Sequence, residues 1–209
     1  MNRRSFYRFL LSGLAVCGLL ASHAAVADEE GPDGMVRRLS TEVIEQIKVD
    51  KGIQAGDLSK VILLVDSKIM PNVNFTRMTS TAVGRFWRGA TPEQQKRLQD
   101  EFKTLLVRTY SGALSQVKEH TITVKPLRAA AGDTEVIVRS EVRGKGDPIQ
   151  LDYRLEKTDK GWKIYDLNVL GVWLVETYKG QFAQEINAKG LDGLIESLAQ
   201  RNKANAKKG

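Results

Sequence analysis

Two aspartates on neighbouring predicted strands, Asp152 and Asp166, are the residues whose type and placement best fit acid–base chemistry. A pair of carboxylates in a cavity can act as general acid and general base. Strand alternation, however, turns Asp152 away from Leu151 and Tyr153 and points it outward. We therefore interpret both aspartates as solvated strand or turn residues. An enzyme that acts on a hydrophobic substrate through them is kept as an alternative.

Other side chains that commonly carry chemistry are scarce. Cys17 and His23 lie in the first 27 residues, so the rest of the chain has no cysteine and one histidine, His120. This excludes disulfides, cysteine nucleophiles and Cys/His zinc sites from that part. His120 falls near a predicted helix end, where a cation suits the helix dipole. Because no phosphate loop, nucleophile elbow or calcium loop is present, the sequence predicts no enzyme and no cofactor or metal site.

The first 27 residues have the three parts of a secretory signal. Three arginines within residues 1–8 precede the short apolar run Phe9–Leu20, and Ala25–Ala27 forms a small-x-small cleavage site. We expect residues 1–27 to be removed and the remainder to be exported and soluble. The paired arginines also resemble a twin-arginine signal, so the export route stays open.

The charge of the chain is mildly basic. The leader holds three of the 32 basic residues and none of the 25 acidic ones, so its removal lowers the formal net charge from +7 to +4. This excess is compatible with approach to anionic membranes. It is too small to indicate a nucleic-acid-binding stripe, and we expect no nucleic-acid partner.

Hydrophobic periodicity places helices before and after an antiparallel sheet. Apolar residues recur at helical spacing in segments that begin near Met35, Asp57, Phe75, Thr91, Gly171 and Gly190. Between them, period-two alternation and glycine-containing turns indicate about four strands with one covered face. The sharpest boundary is Thr91-Pro92, a good N-cap followed by proline at the first helical position. We predict a single α+β domain over residues 28–202 and a basic flexible tail over residues 203–209.

Large apolar side chains exceed what one sheet face and the helix stripes need for packing. The excess is greatest in Trp162–Phe182, where a predicted strand continues past Gly171 into a predicted helix. Ordinary core packing explains any one of these residues. Taken together, without a catalytic set, they favour an apolar pocket between the sheet and the helices. The predicted lining residues are Phe75, Met78, Phe86, Phe102, Leu106, Tyr110, Val138, Leu151, Tyr153, Tyr165, Val172, Trp173 and Val175.

Motifs spread along the chain carry a resemblance to a known family. They are Met70-Pro71 with Val73 and Phe75; Gly84-x-x-Trp87-Arg88-x-Ala90-Thr91-Pro92-x-Gln94; Phe102-x-x-Leu105-Leu106 and Tyr110; Trp162-Lys163-Ile164-Tyr165-Asp166; and Gly171-Val172-x-Leu174-Val175-x-x-Tyr178-x-x-x-Phe182. In this order and spacing they resemble the toluene-tolerance, or MlaC, family of periplasmic phospholipid-binding proteins. The resemblance covers nearly all of the chain after the leader.

The resemblance implies a soluble periplasmic carrier, which we expect to be a monomer, with phospholipid tails held in a deep apolar pocket. It implies two partners: an outer-membrane lipoprotein complex, and an inner-membrane complex of a lipid-binding ring with an ABC transporter. Lipid shuttled between them would maintain outer-membrane asymmetry. The helix near Gly171 is the expected moving element, with Gly171 and Gly180 easing its motion.

Two residues depart from the family pattern, in which an acidic residue and a small residue are usual where this chain has Leu170 and Trp173. A tryptophan there narrows the pocket or forms part of its wall. A carrier of hopanoids or of another apolar ligand is therefore an alternative. A further alternative is an interaction module without a ligand, for which a solid core would be the distinguishing observation.

Overall fold

The computed structural model describes residues 30–130 and 132–206, so the predicted leader lies outside the described residues. Within these ranges the chain forms six α-helices and one five-stranded sheet. The helices are α1 (Pro32–Val49), α2 (Lys51–Gln54), α3 (Leu58–Leu64), α4 (Phe75–Val83), α5 (Pro92–Gln116) and α6 (Leu174–Ala206). The strands are β1 (Thr121–Val124), β2 (Glu135–Arg143), β3 (Ile149–Thr158), β4 (Gly161–Val169) and β5 (Val172–Trp173).

The sheet is an antiparallel meander in which each strand pairs with the next along the chain. The register between β3 and β4 shifts after Arg154. Arg154 pairs with Asp166, but the next residue, Leu155, pairs with Ile164. Tyr165 is therefore the extra residue of a bulge in β4. A parallel bridge from Val73 to Ile164 occupies part of the outer edge of β4. Further along that edge, β5 continues the pairing.

The predicted α+β architecture is confirmed, and two of its details change. The sheet has five strands rather than about four, and the added strand is β5. The last helix begins at Leu174 rather than near Gly171, because Leu170 and Gly171 both have positive φ and turn the chain back on itself first. A strand therefore does not pass directly into a helix at this point.

The helix boundaries follow local capping chemistry. Thr91 accepts a hydrogen bond from the Gln94 backbone N–H, and the Gln94 side chain accepts one from the Thr91 N–H, which forms the capping box of α5. Helix α3 is followed directly by a π-helical turn, Val65–Ile69, and a 3₁₀ turn, Met70–Asn72. Other 3₁₀ turns follow α4 (Gly84–Gly89) and α5 (Val117–Glu119).

Helix α6 is interrupted at Gly190, which has φ 74° and ψ −179°. This confirms the sequence signal for a separate final helical segment after that glycine. The second segment remains helical through Ala206, which includes the first residues of the predicted tail. None of the helices in the described ranges has the length and apolar content to cross a bilayer.

The interior contains two apolar clusters, named here for the elements that dominate them. The sheet cluster lies between the inner face of the sheet and helices α1 and α3; its members are Met35, Val36, Leu39, Val43, Ile47, Ile53, Val61, Leu64, Val65, Val107, Val124, Val136, Val138, Tyr153, Leu155 and Ile164. The helix cluster lies among α4, α5 and α6; its members are Phe75, Met78, Ala82, Val83, Leu98, Phe102, Leu105, Val175, Phe182, Ile186, Leu194, Ile195 and Leu198.

The two clusters are in contact with each other. Met70 and Val73, on the segment that leads from α3 to α4, pack against both. Helix α5 also runs along both, because Phe102 belongs to the helix cluster and Val107 to the sheet cluster. A change in the separation of the clusters must therefore be accommodated at α5 and at Met70–Val73.

Candidate functional site

Most of the predicted lining residues lie in the two apolar clusters. Val138 and Tyr153 are buried in the sheet cluster, and Leu151 packs against it. The helix cluster takes the larger share: Phe75, Met78, Phe102 and Val175 are buried in it, and Phe86 and Leu106 pack against it. The structure thus brings these side chains to the interior, in two groups rather than around one space.

The remaining four predicted lining residues lie elsewhere. Tyr110 is half-buried on α5, and Val172 is 53% exposed on β5. The bulge in β4 places the Tyr165 ring under the guanidinium of Arg77, at 3.7 Å from its centroid. The Trp173 ring stacks on Arg154, whose guanidinium carbon lies 4.0 Å from its centroid. Their role in lining a pocket stays a prediction.

Aromatic rings form the centre of the helix cluster. The Phe102 side chain is fully buried, and its ring lies 4.9 Å from Tyr178 and 5.2 Å from Phe182, both edge to face. Phe75 completes the group at 5.8 Å. Such pairs add about 0.5–1.5 kcal/mol each beyond their area burial. This part of the interior is formed by aromatic and aliphatic side chains.

A small polar group interrupts the apolar inner face of the sheet. Burial raises the pKa of the Tyr153 phenol, and hydrogen bonds with Ser140 and Ser40 partly offset the rise. Ser140 is fully buried and its hydroxyl also donates to the Leu151 carbonyl, 3.1 Å away. This polar group was not predicted from the sequence. Its signal was Ser140, a hydroxyl at an inward position between Val138 and Val142.

Two clefts on the surface of the described residues each reach an apolar cluster at a single lining residue, Val136 of the sheet cluster or Ile195 of the helix cluster. One, of about 350 Å³, lies on the outer face of the sheet and is lined by Arg128, Asp133, Glu135, Val136, Ile137, Arg139, Arg154 and Tyr165. The other, of about 240 Å³, lies beside the start of α5 and is lined by Thr91, Glu93, Gln94, Arg97, Asp192 and Ile195. Both linings are mainly polar, so neither cleft matches the predicted apolar pocket.

The two aspartates singled out in the sequence are buried, which corrects the prediction that they are solvated. Asp166 is 1% exposed and Asp152 is 9% exposed. Asp166 Oδ1 accepts hydrogen bonds from the backbone N–H groups of Leu167, at 2.8 Å, and Val175, at 3.1 Å, and Oδ2 accepts one from Arg154, at 3.1 Å. The start of α6 covers this face of β4, which single-strand alternation does not predict.

These contacts give Asp166 a structural role. Burial raises the pKa of the Asp166 carboxyl, and the hydrogen bonds from Val175, Leu167 and Arg154 lower it in part. A carboxylate has about four lone-pair positions, and three are filled by protein donors. Asp166 therefore ties the first turn of α6 to β4 and is poorly placed to take a proton from a substrate.

A charged cluster on the outer face of the sheet was also missed. Arg77 of α4 binds Glu135, at 2.7 Å, and also Glu156. The Tyr165 hydroxyl donates to Glu135 at 3.0 Å. Arg77 and Tyr165 lower the pKa of Glu135 through these hydrogen bonds. No sequence signal links Arg77 to Glu135, because their contact depends on the crossing of α4 over the edge of β4.

His120 follows the 3₁₀ turn Val117–Glu119, and its imidazole packs so closely against Gly144 that an added Cβ there would clash with it. This contact supports a packing role for the histidine. Over residues 30–130 and 132–206, no three histidine, cysteine or acidic side chains are grouped so that they could hold a metal ion.

Comparison with known proteins gives consistent matches. Residues 37–200 match the sequence profile of the family described as MlaC protein. The toluene tolerance protein Ttg2D of Pseudomonas putida is 25% identical over 162 residues, which are 77% of this chain and 75% of that protein. The intermembrane phospholipid transport system binding protein MlaC of Haemophilus influenzae is 21% identical over 196 residues, 92% of this chain and 91% of that protein.

A solved structure shares both the fold and much of the sequence. It is the phospholipid-binding protein from Ralstonia solanacearum in complex with a phospholipid, with 50% sequence identity and a TM-score of 0.81. The match covers 83% of this chain and 98% of that one. This similarity supports the α+β arrangement described above for the whole domain.

Proposed function

Because this chain belongs to the MlaC protein family, we propose that it binds phospholipid by its acyl tails and carries it between membranes. The observation that carries the proposal is the apolar interior on a fold shared, at 50% identity, with a protein in complex with a phospholipid. The relative from Haemophilus influenzae, named as the binding protein of an intermembrane phospholipid transport system, supports the transport role.

The physical requirement for such a carrier is a large apolar surface. At about 0.8 kcal/mol per methylene, a diacyl lipid with roughly thirty methylenes would lose on the order of 20 kcal/mol on leaving a bilayer for water. The carrier must recover most of this by burying the tails, while the charged headgroup stays outside to avoid desolvation. The sheet and helix clusters supply walls of the required kind.

The two clusters pack against each other and neither cleft is an apolar pocket, which is also what the ligand-free interaction module predicts. Carriage therefore requires that elements move apart before the tails can enter. We place the opening between the two clusters, because Met70 and Val73 are their shared contacts and lie on a short segment rather than inside a long element. A π-helical turn, Val65–Ile69, precedes that segment, and such turns are frequent at functional sites. Acyl tails inserted here would replace protein contacts with lipid contacts of the same apolar character.

The cellular setting belongs to the proposal as well. We place the protein in the periplasm after removal of residues 1–27, as a monomer that collects lipid from one membrane complex and delivers it to another. The partners we propose are an outer-membrane lipoprotein complex and an inner-membrane ABC transporter with a lipid-binding ring. In this role the protein acts as a carrier and not as an enzyme.

The direct test is identification of the bound molecule. The chain should be purified gently from its native compartment and extracted with organic solvent, and the extract analysed by mass spectrometry. We expect glycerophospholipid near one molecule per protein. A consistently lipid-free protein would contradict the proposal, and a hopanoid as the main species would favour the alternative carrier.

A pair of variants on one strand tests the location of the tails. Val138 is fully buried on the inner face of β2, and its neighbour Ile137 is 37% exposed on the outer face. Val138→Phe adds volume to the inner face, and we expect it to lower the bound lipid several-fold. Ile137→Phe places the same aromatic side chain on the outer face, and we expect lipid content near that of the unmodified protein.

Stability must be measured for both variants, because an overpacked core costs about 1–3 kcal/mol. Equal lipid content in two folded variants would contradict this location. Trp173→Ala is a useful third variant: it shows whether a ring stacked on Arg154 contributes to the lipid site, as the sequence analysis predicts.

A further inference from the structure

Two glutamates face each other on neighbouring strands of the outer sheet face. Glu135 of β2 pairs directly with Glu156 of β3 in the antiparallel register. Like charges directly opposite each other on a sheet repel and destabilise the pairing. Lys163, which is opposite Glu156 on β4, donates to the Pro71 carbonyl. The pair is unfavourable within the sheet, so its counter-charge comes from another element.

That counter-charge is the guanidinium of Arg77 on helix α4. It donates to Glu135 at 2.7 Å and also binds Glu156, so one side chain bridges both carboxylates. The Arg77 side chain is 30% exposed and that of Glu156 is 17% exposed, and charges that are partly buried are screened less by salt than exposed ones. Arginine suits this position because its planar fork can bind two carboxylates at once.

Asn74 reinforces the same connection at the start of α4. Its Oδ1 accepts a hydrogen bond from the Arg77 backbone N–H at 3.0 Å, which caps the helix, and its Nδ2 donates to Glu156 at 2.7 Å. The Asn74 backbone N–H donates to the Ile164 carbonyl of β4 at 2.8 Å. The first turn of α4 is thus tied to β3 and β4 by polar contacts, and Arg77 extends the connection to β2.

The apolar side of α4 belongs to the helix cluster, where it packs with α5 and α6; the buried residues are Phe75, Met78, Ala82 and Val83. Helix α4 therefore joins the sheet by polar contacts and the other two helices by apolar ones. When elements separate, water can solvate the charges of an ion pair, whereas apolar side chains lose the free energy of their burial. The polar side of α4 is consequently the side at which separation costs least.

We propose that Arg77 is a latch residue, whose release from Glu135 and Glu156 sets how often the sheet cluster and the helix cluster part. Release frees α4 to move with the helix cluster away from the sheet. The two glutamates are then left facing each other and repel, which favours the return of Arg77 and keeps each opening brief. The inference rests on the proposed carriage, because lipid tails are what would pass through the opening.

The variant Arg77→Gln removes the charge of the latch and leaves the fold supported. Glu156 keeps Asn74 as a donor, and Glu135 keeps the Tyr165 hydroxyl. Because each glutamate retains a partner and the apolar side of α4 is unchanged, we expect the variant to fold.

The first measurement is the rate of lipid transfer. Residues 28–209 are loaded with a fluorescent phospholipid and mixed with phosphatidylcholine vesicles that contain a quencher. We expect Arg77→Gln to transfer the lipid about fivefold faster than the unmodified protein, because opening no longer breaks an ion pair. Arg77→Lys keeps the charge but lacks the fork, so its rate should lie between the two. A rate for Arg77→Gln equal to that of the unmodified protein would overturn the inference.

Two control variants separate the latch from general effects of charge and stability. Arg143→Gln makes the same substitution at a guanidinium that lies 2.7 Å from Glu141 on the same strand, so it joins no second element to the sheet. Thr91→Ala removes the N-cap of α5, a loss of stability comparable to that of an ion pair. Both should transfer lipid at nearly the rate of the unmodified protein. Equal acceleration by Thr91→Ala, at equal stability in urea, would mean that Arg77 acts only through stability.

A second measurement needs no lipid. In protein stripped of lipid, amide hydrogen exchange followed by mass spectrometry should be faster over residues 70–83 in Arg77→Gln than in the unmodified protein, and unchanged there in Arg143→Gln. Exchange at the same rate in all three proteins would overturn the latch. A protein that never holds lipid would contradict the proposed carriage, yet hydrogen exchange would still decide whether Arg77 holds α4 on the sheet, so the two failures are distinguishable.

Discussion

Asp166 shows how one side chain can organise the junction between a sheet and a helix. Its carboxylate accepts hydrogen bonds from β4, from the first turn of α6 and from Arg154, whose guanidinium also stacks on the Trp173 ring. Burial raises the pKa of Asp166 above that of the unfolded chain. The folded state therefore binds a proton here more readily than the unfolded state, and this group does not weaken the fold on acidification.

We predict that Asp166→Asn destabilises the protein by about 1–3 kcal/mol, because Arg154 loses its acceptor and faces an amide donor instead. Urea unfolding followed by circular dichroism measures the loss. Asp152→Asn is the matched control: Asp152 accepts from Gln150 in a long contact of 3.3 Å and ties no helix to the sheet, so its loss should be smaller. Equal losses of stability in the two variants would show that Asp166 does not have this special role. Preserved lipid carriage in folded forms of both variants would also eliminate the enzyme alternative.

At the level of elements, two glycines of α6, Gly180 and Gly190, differ in backbone conformation. Gly190, with φ 74° and ψ −179°, occupies a region that is essentially restricted to glycine, whereas Gly180 lies within the first helical segment with open space where a Cβ would project. The break at Gly190 lets the two segments of α6 take different directions while both contribute to the helix cluster.

Substitution by alanine should therefore have opposite effects at these two positions. We expect Gly190→Ala to cost about 1–3 kcal/mol, because alanine is strained in that conformation. We expect Gly180→Ala to stabilise by about 0.5–1 kcal/mol, because alanine loses less entropy in a helix interior. Chemical denaturation measures both, and effects of the same sign would contradict this account of the break. The rate of lipid exchange by Gly180→Ala tests the separate prediction that this glycine eases a motion of α6.

The sequence predicted long, periodic elements well and short or crossing ones poorly. Period-two alternation located β2, β3 and β4, and Thr91-Pro92 located the start of α5. Strand β5 has two residues, too few to show alternation, so the sequence pattern predicts a direct passage into a helix where the structure has a reversal at Leu170-Gly171. The burial of Asp166 escaped prediction because α6 covers it from residues further along the chain.

The sequence predicted which types of residue form the candidate site, but it did not predict how they are arranged in space. The sequence has more large apolar residues than packing of the helices and one sheet face needs. Two of these residues, Phe102 and Val138, are buried as predicted. Their division into two clusters depends on how α4 and α6 pack beyond the edge of β4, which no local pattern encodes. The bulge at Tyr165 likewise moves a predicted lining residue to the outer face, and a bulge leaves no reliable mark in the sequence.

For the whole molecule, the proposed carriage predicts that lipid and fold stability are linked. A ligand that binds the folded state and not the unfolded state stabilises it by about 2.7 kcal/mol at a hundredfold excess over Kd. Protein stripped of lipid should unfold at a lower temperature, and added phospholipid should restore the midpoint in calorimetry. Val138→Phe should respond less to the addition. A thermal unfolding midpoint that does not change on addition of lipid would count against a lipid site in the interior.

Several contacts beside the helix cluster join residues that are far apart in the sequence and are therefore synthesised at different times. Asn202 donates to the carbonyl and the carboxylate of Glu101, and Gln94 donates to Asp192. The meander from β1 to β4 pairs neighbours and can form as soon as it leaves the ribosome. Helices α4 and α5 must wait for the last residues of α6 to cover their apolar sides. A chain that stops before Leu174 would therefore keep its sheet but expose Phe102 and its neighbours, and aggregation would be its most direct fate.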